Sequence, residues 1–494
     1  MVLPLLVLLA ADVAAQRFVE ERVLTRREMI RDIDVALKQL ERHHPMMYLY
    51  VDEEVFRAEV DSIKAHLPEK MVTSDFYLVL TRMIYSLRHG HIMIFPYDPD
   101  EGSLQRNVLS AFGYQVFNDS LYIVRNAHEL CDIPPGTRVD ELNGADVVAL
   151  LRKYEDAVPS EGYSGMLRYR LISHLFPVFG MYETGVSDTV ELKLSFRDST
   201  FVCRLPIIRK HSQADLSDLI LEYTGVVSPE IRRDSTGISV PGARLKFPDG
   251  QHDIAVLKVH SFMVPTIGFY REAFRMLDSL NTQHLILDLR DNLGGAALLA
   301  SELYSYLSDS TFRFIERPIV NSWFRLFYPP NHTLARHVLT TVLLPFVVSV
   351  YTPIQRLEGG GFSHNAMEAR RRAMSPNRFR GSVSLLVNSG TYSAAAVIAA
   401  NLKHAGNVLV VGEETGGASE GTVAMRMSTK RLPASGFWLR YGLGFIQPYY
   451  QGGKPGHGVI PDLIVQPTLN DYIEEHDPQL HTLMELLNSL QREP

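Results

Sequence analysis

Three short runs, IAVLKV at residues 254–259, HLILDLRDNLGG at 284–295 and VSLLVNSGTYSAAAVIAANLKHAGNVLVVG at 383–412, decide how the chain is read. Each opens with a short, mostly apolar run bounded by turn formers, the pattern of a strand buried on both faces. Between them, residues 269–280, 296–307 and 393–404 carry helix-forming, core-directed side chains. Strand and helix in alternation predict an α/β core over residues 251–470 with a parallel sheet. In such sheets functional groups gather at the loops that follow strand C-termini.

Working outward, residues 209–250 are polar and irregular and read as a linker or insertion. Residues 107–208 carry short β runs, and residues 133–154 read IPPGTRVDELNGADVVALLRKY. A Pro-Pro-Gly turn, a strand, an Asn-Gly turn and a helix follow in an order that resembles a PDZ-like module, a groove former for extended peptides. An unrelated β-rich insert remains the alternative. Residues 16–100 form a helical domain: Ile30, Ile33, Val35, Leu37 and Leu40 make one stripe, and Phe56, Val60, Ile63 and Leu67 a second. Thr73 or Ser74 is the expected N-cap of a third helix, which breaks at Gly90 in the turn Arg88-His89-Gly90-His91. Residues 471–494 are expected to be a C-terminal helix.

Residues 1–15 read as a signal peptide, with Val13 and Ala15 at the −3 and −1 places before Gln16, and so predict an extracytoplasmic protein, periplasmic or secreted. An apolar N-terminal strand is the competing reading. No cysteine follows the run, which argues against a lipid anchor. The apolar stretch at 337–354 is short for a membrane span and contains Pro345, so it is expected as a buried helix or the wall of an apolar groove, leaving no integral span after signal cleavage.

The 494 residues suffice for roughly three domains at about 150 each. Lys and Arg number 49 against 56 Asp and Glu, a net charge of −7, which removes any general attraction to nucleic acid. Two cysteines, Cys131 and Cys203, exclude a disulfide-dense scaffold and a four-cysteine zinc site. An exported chain would permit a bridge between them, and the sequence leaves their pairing open.

Three loops follow the predicted strands. Asp288 to Gly295 ends in a Gly-Gly pair whose free N–H groups suit an anion or oxyanion hole, or simply a tight turn. Val387 to Ala396 places Ser393 where a helix of small residues opens, as a nucleophile or as an N-cap. Gly412 to Ala418 walls the same cleft.

Together these loops resemble the S41 peptidases, the tail-specific (C-terminal processing) proteases and the tricorn core protease. The resemblance implies a multidomain α+β fold with an N-terminal helical domain, a PDZ-like β-rich module and a C-terminal α/β catalytic core of the ClpP/crotonase type. It implies Ser393 as nucleophile, the N–H groups of Gly295 and Ala394 as the oxyanion hole, no cofactor or metal, and peptide or protein substrates. Ala418 stands where the family's serine–lysine members carry their lysine. The resemblance therefore points to the histidine branch, with His91 of the Gly90-His91 pair as base and His89 as its competitor; an imidazole suits that work near neutral pH. The orienting glutamate expected before Val459-Ile-Pro-Asp462 is missing, and Glu413, Glu414 and Glu420 are the nearby candidates. The expected function is an exported serine peptidase acting through an acyl-enzyme. The alternative is a weak or inactive protein on the same fold that binds peptides or apolar ligands, as retinoid-binding relatives do.

Overall fold

The computed structural model describes residues 21–97, 109, 112–126, 132–184, 189–206, 231–248, 252–264, 266–322, 355–358, 360–406 and 408–492. The expected signal segment, the apolar stretch at 337–354 and Cys131 lie outside them. Among the described residues no helix is long and apolar enough to cross a membrane.

The chain opens with β1 (Val23–Thr25) and α1 (Arg26–His43). Thr25 and Glu28 close a capping box at the start of α1, and Met29, Ile33, Ala36 and Leu40 are buried along one face. Asp52 caps α2 (Glu53–His66) by accepting from the N–H groups of Glu54 and Val55. β2 (Lys70–Val72) pairs with β1 and leads into α3 (Thr73–Tyr85). The expected Thr73 or Ser74 cap does not form. Val72 holds that position without a side-chain bond, because the Thr73 hydroxyl is engaged with the Arg22 N–H and the Ser74 hydroxyl with Glu21. After the Gly90-His91 turn comes β3 (Met93–Phe95).

An antiparallel sheet follows, built from β4 (Phe112–Phe117), β5 (Ser120–Asn126), β6 (Thr137–Leu142), β8 (Thr189–Phe196) and β9 (Ser199–Pro206), with β7 (Ala145–Asp146) beside β6. Between β7 and β8 run α4 (Val147–Glu155) and α5 (Met166–Thr184). α5 occupies a region read only as β runs; it contains Pro177 and lacks a clear apolar stripe, so the 3.6-residue signal is weak there. It lies against β4, where the Ser173 hydroxyl accepts from the Val116 N–H at 3.3 Å. Cys203 on β9 is disulfide-bonded.

The core is an eight-stranded sheet in the order β10 (Arg232–Asp234), β11 (Gly237–Val240), β12 (Ala243–Lys246), β13 (Ile254–Val259), β14 (His284–Asp288), β18 (Ser382–Val387), β19 (Val408–Gly412), β22 (Leu463–Ile464). Strands β13, β14, β18, β19 and β22 are parallel, as the alternation predicts. β10 to β12 correct the expected linker. Within 209–250, residues 232–246 extend the core sheet as antiparallel strands, and Ile238, Val240, Ala243 and Leu245 are buried in it. The alternation of those apolar residues is short and was masked by its polar flanks.

α6 (Ile267–Ser279), α7 (Ala297–Ser305) and α8 (Ala394–His404) are helices of this core among the described residues. β15 (Ile319–Val320), β16 (Gln355–Arg356), β17 (Phe362–Ser363), β20 (Thr422–Arg431) and β21 (Trp438–Ile446) make a further sheet, and β3 pairs with β21. That pairing carries the turn after α3 onto the core. α9 (Leu469–Ile473) and α10 (Pro478–Arg492) end the described chain. The whole is a mixed α+β architecture.

Candidate active site

β14 and β18 are parallel neighbours, Asp288 lying opposite Leu386, so the loops leaving their C-termini emerge side by side. Buried Thr391 ties them together: its hydroxyl donates to the Leu289 carbonyl at 2.9 Å and accepts from the Asn388 N–H at 3.1 Å. Asn292 adds another link, its carbonyl accepting from the Tyr392 N–H at 3.0 Å, while its Oδ1 accepts from the Gly294 N–H at 2.9 Å within its own loop.

Ser393 stands at the N-cap of α8 with φ 54° and ψ −123°, a left-handed backbone that non-glycine residues rarely adopt. Its hydroxyl makes no cap bond to the helix. His91 brings Nε2 to 3.2 Å from the Ser393 Oγ, although 302 positions separate the two in the chain. The His91 ring stacks on Tyr392, with centroids 4.7 Å apart and planes 23° apart.

Gly294 and Gly295 lie against the start of α8. A Cβ on Gly294 would fall 2.7 Å from the Ser393 Cβ and 2.9 Å from the Ala394 N, and one on Gly295 2.4 Å from the Phe262 carbonyl carbon. Only glycine fits either position. Phe262 donates to the Gly294 carbonyl and accepts from the Ala296 N–H, both at 2.9 Å, which passes over the Gly295 N–H. Ala394 is the first residue of α8, where no intrahelical carbonyl reaches the N–H.

His89 is turned away from Ser393. It is 2% exposed, its Nε2–H donates to the Met47 carbonyl at 3.1 Å, and burial holds its pKa below the ordinary imidazole value. The candidate acids also point elsewhere. Glu414 accepts from the Gly458 N–H at 2.8 Å and faces His457, and Glu420 accepts from the Gly456 N–H at 2.6 Å. Burial raises the pKa of both Glu413 and Glu420. Among the described residues none of these three is hydrogen-bonded to His91.

The acid beside His91 is Glu161, from the segment between α4 and α5. Its Oε2 lies 3.8 Å from the His91 Nδ1 and accepts from the Tyr392 and Thr422 hydroxyls at 2.8 Å each. Those two hydroxyl oxygens are 2.6 and 2.9 Å from the same Nδ1. Burial alone would raise the Glu161 pKa, but the facing His91 and His89 imidazoles and the Thr422 hydroxyl hold it below the usual carboxylate value.

A serine at the opening of a helix with an imidazole at hydrogen-bond distance can perform acyl transfer. Residues 253–465 match the family model of peptidase family S41. That stretch is the α/β core of the chain. By that match the core is similar to serine-type peptidases. No curated protein sequence matches the chain. Among solved structures, mature CPAF complexed with lactacystin is 16% identical with a TM-score of 0.59, covering 93% of this chain and 97% of that one. Mature CPAF without it is 15% identical with a TM-score of 0.57, over 93% and 96%. At these identities the likeness concerns the fold, and it extends over nearly the full length of both chains.

Within this core Ala418 is buried at 5% exposure and bridges to Gly458, so the loop after β19 presents no lysine to Ser393. Glu161, Tyr392 and Thr422 were not read from sequence as functional. Tyr392 had a signal, its place next to Ser393. Glu161 had none: it sits in Pro159-Ser-Glu-Gly-Tyr-Ser-Gly165, a polar stretch that reads as an exposed loop, yet it is 1% exposed.

Proposed function

We propose that the protein is an exported peptidase that hydrolyses peptide bonds through an acyl-enzyme on Ser393. His91 Nε2 takes the Ser393 proton as Oγ bonds to the scissile carbonyl carbon, and the N–H groups of Gly295 and Ala394 hold the resulting oxyanion. His91 then returns the proton to the departing amine, and a water activated by the same Nε2 frees the acyl group. No cofactor enters the scheme. The observation that carries this reading is the 3.2 Å approach of Nε2 to Oγ across 302 positions. The strained backbone beside it, φ 54° at Ser393 costing about 1–3 kcal/mol, supports a functional constraint at the same turn.

Export is supported by the apolar segment at 1–15 and by the disulfide at Cys203, which suits an oxidising compartment. We read the six-stranded module with α4 and α5 as PDZ-like, a holder of extended peptide. The test is reaction of the full chain with a fluorophosphonate. Wild type is expected to label and to cleave peptides; Ser393→Ala should lose both, and His91→Ala should slow both by about 10³-fold or more. Wild-type labelling of Ser393→Ala would refute the assignment.

A further inference from the structure

The side of the His91 ring away from Ser393 is closed by a carboxylate that never touches it directly. Glu161 is 1% exposed, and its Oε2 receives the Tyr392 hydroxyl at 2.8 Å, the Thr422 hydroxyl at 2.8 Å and the Gly90 N–H at 3.2 Å. The three donors come from the loop before α8, the start of β20 and the turn after α3, so three separate parts of the chain converge on one oxygen. The two hydroxyl oxygens also stand 2.6 and 2.9 Å from His91 Nδ1, against 3.8 Å for the carboxylate itself.

The direction of these bonds follows from the chemistry of the groups. An ionised carboxylate only accepts, so each hydroxyl must spend its single proton on Oε2. Each hydroxyl oxygen then turns a lone pair toward Nδ1. Facing two acceptors, Nδ1 must carry the imidazole proton, and Nε2 is left with the lone pair that meets the Ser393 Oγ.

We infer that Glu161 is the positioning carboxylate of the Ser393–His91 pair, setting the His91 tautomer through the Tyr392 and Thr422 hydroxyls. This rests on the serine–histidine reading above. As Ser393 gives its proton to Nε2, the imidazole becomes a cation, and the two hydroxyls carry the field of the Glu161 anion to it. The Nδ1 proton stays on Nδ1 throughout, and the carboxylate stays ionised.

Its surroundings keep the relay in that state. Burial, and then the Glu161 charge, raise the Tyr392 pKa well above an ordinary phenol, so its proton remains available to donate. The other titratable groups facing Glu161 are His89, whose Nδ1 is 4.0 Å from Oε1, and, farther off, Tyr50 and Glu420; His44 packs edge-on against His89. Burial keeps His44 and His89 below the ordinary imidazole pKa, so neither supplies a competing cation near neutral pH.

An amide at position 161 would reverse the relay. Its NH2 can donate to the hydroxyls, which then turn their protons toward Nδ1 and leave Nε2–H facing Ser393, the unproductive tautomer. In the full-length protein Glu161→Gln is therefore expected to lower kcat by about a hundredfold with KM within about threefold; the loss is smaller than the ~10⁴ seen where an acid bonds its imidazole directly. The acidic limb of kcat/KM should move to lower pH, because a negative charge near the imidazolium is gone. Tyr392→Phe and Thr422→Val should each cost less, and the double variant as much as Glu161→Gln.

Since Glu161 also holds the Gly90 N–H, its substitution could loosen the turn; Tyr392→Phe/Thr422→Val leaves that bond in place and tests the relay alone. Glu161→Gln added to His91→Ala should cost nothing further. Wild-type activity in the folded double variant, an unmoved acidic limb, or a full additional loss in the His91→Ala background would each overturn the inference. Wild-type activity in Ser393→Ala or His91→Ala would instead overturn the serine–histidine reading itself.

Discussion

Replacing Gly294 with alanine tests whether the Gly-Gly loop and the Ser393 turn form one catalytic surface. The new Cβ would stand 2.7 Å from the Ser393 Cβ, 2.9 Å from the Ala394 N and 2.9 Å from the Tyr392 carbonyl oxygen. Carbon atoms pack at about 3.5–4.0 Å, so about 1 Å must open between the loop and the start of α8. Two atoms in the path are backbone and cannot rotate away, and φ at 294 is +97°, which adds strain for any side chain.

A misplacement of about 1 Å in a reacting constellation costs roughly 10² in rate, and loss of one oxyanion donor roughly 10²–10³. Gly294→Ala should thus lower kcat by about 10²–10³, with a stability loss of about 1–3 kcal/mol from the backbone alone. The assay is kcat and KM on a peptide substrate, with the rate of fluorophosphonate labelling as an independent measure of Ser393. Gly144→Ala is the internal control: φ there is +81°, but a Cβ meets nothing within 4 Å, so it should cost stability without activity. A Gly294→Ala enzyme within threefold of wild type, or an equal activity loss in Gly144→Ala, would refute the shared surface.

Stability should fall as pH drops from about 6.5 toward 4. Burial holds His44 and His89 below the ordinary imidazole value and brings His284 and His364 to about 4, so these rings stay neutral in the folded chain while the unfolded chain takes up protons below about 6.5. Thermal unfolding at pH 7 and pH 5 checks this, and His284→Gln with His364→Gln should flatten the slope; a transition temperature that rises on acidification would contradict it. Arg290→Met should release the C-terminal helix. Arg290 joins Asp288 at 2.8 Å and Asp477 at 2.7 Å just before α10, while Lys258 alone remains to balance Asp288, 6% exposed. The expected loss is about 3 kcal/mol, with faster hydrogen exchange in residues 478–492, and unchanged exchange there would show that the pair does not hold α10.

The parallel core was legible because buried strands announce themselves locally. Leu285, Ile286 and Leu287 are each 0% exposed, and so are Leu385, Leu386 and Val387, and such short apolar runs bounded by turn residues suit strands buried on both faces. The strand-to-helix loops bearing Gly295 and Ser393 were legible for the same reason, since strand order places their C-terminal ends together. Elements without a local period were not: α5 has Pro177 and no stripe, and β10 to β12 are three or four residues each, too short for alternation to stand out from their polar flanks.

For the site, sequence determined the chemistry at hand, a serine in a helix-opening turn, a Gly-His pair and no lysine at Ala418. It could not determine which nitrogen or which carboxylate would serve. His89 and His91 are two residues apart and chemically alike, yet one is sealed against the Met47 carbonyl and the other reaches Ser393, a choice made by the pairing of β3 with β21. Glu161 is joined to His91 through residues 231 and 261 positions away from it. Such a contact leaves no mark along the chain, because the cost of burying the carboxylate is met only when three distant segments close around it and supply its hydrogen bonds.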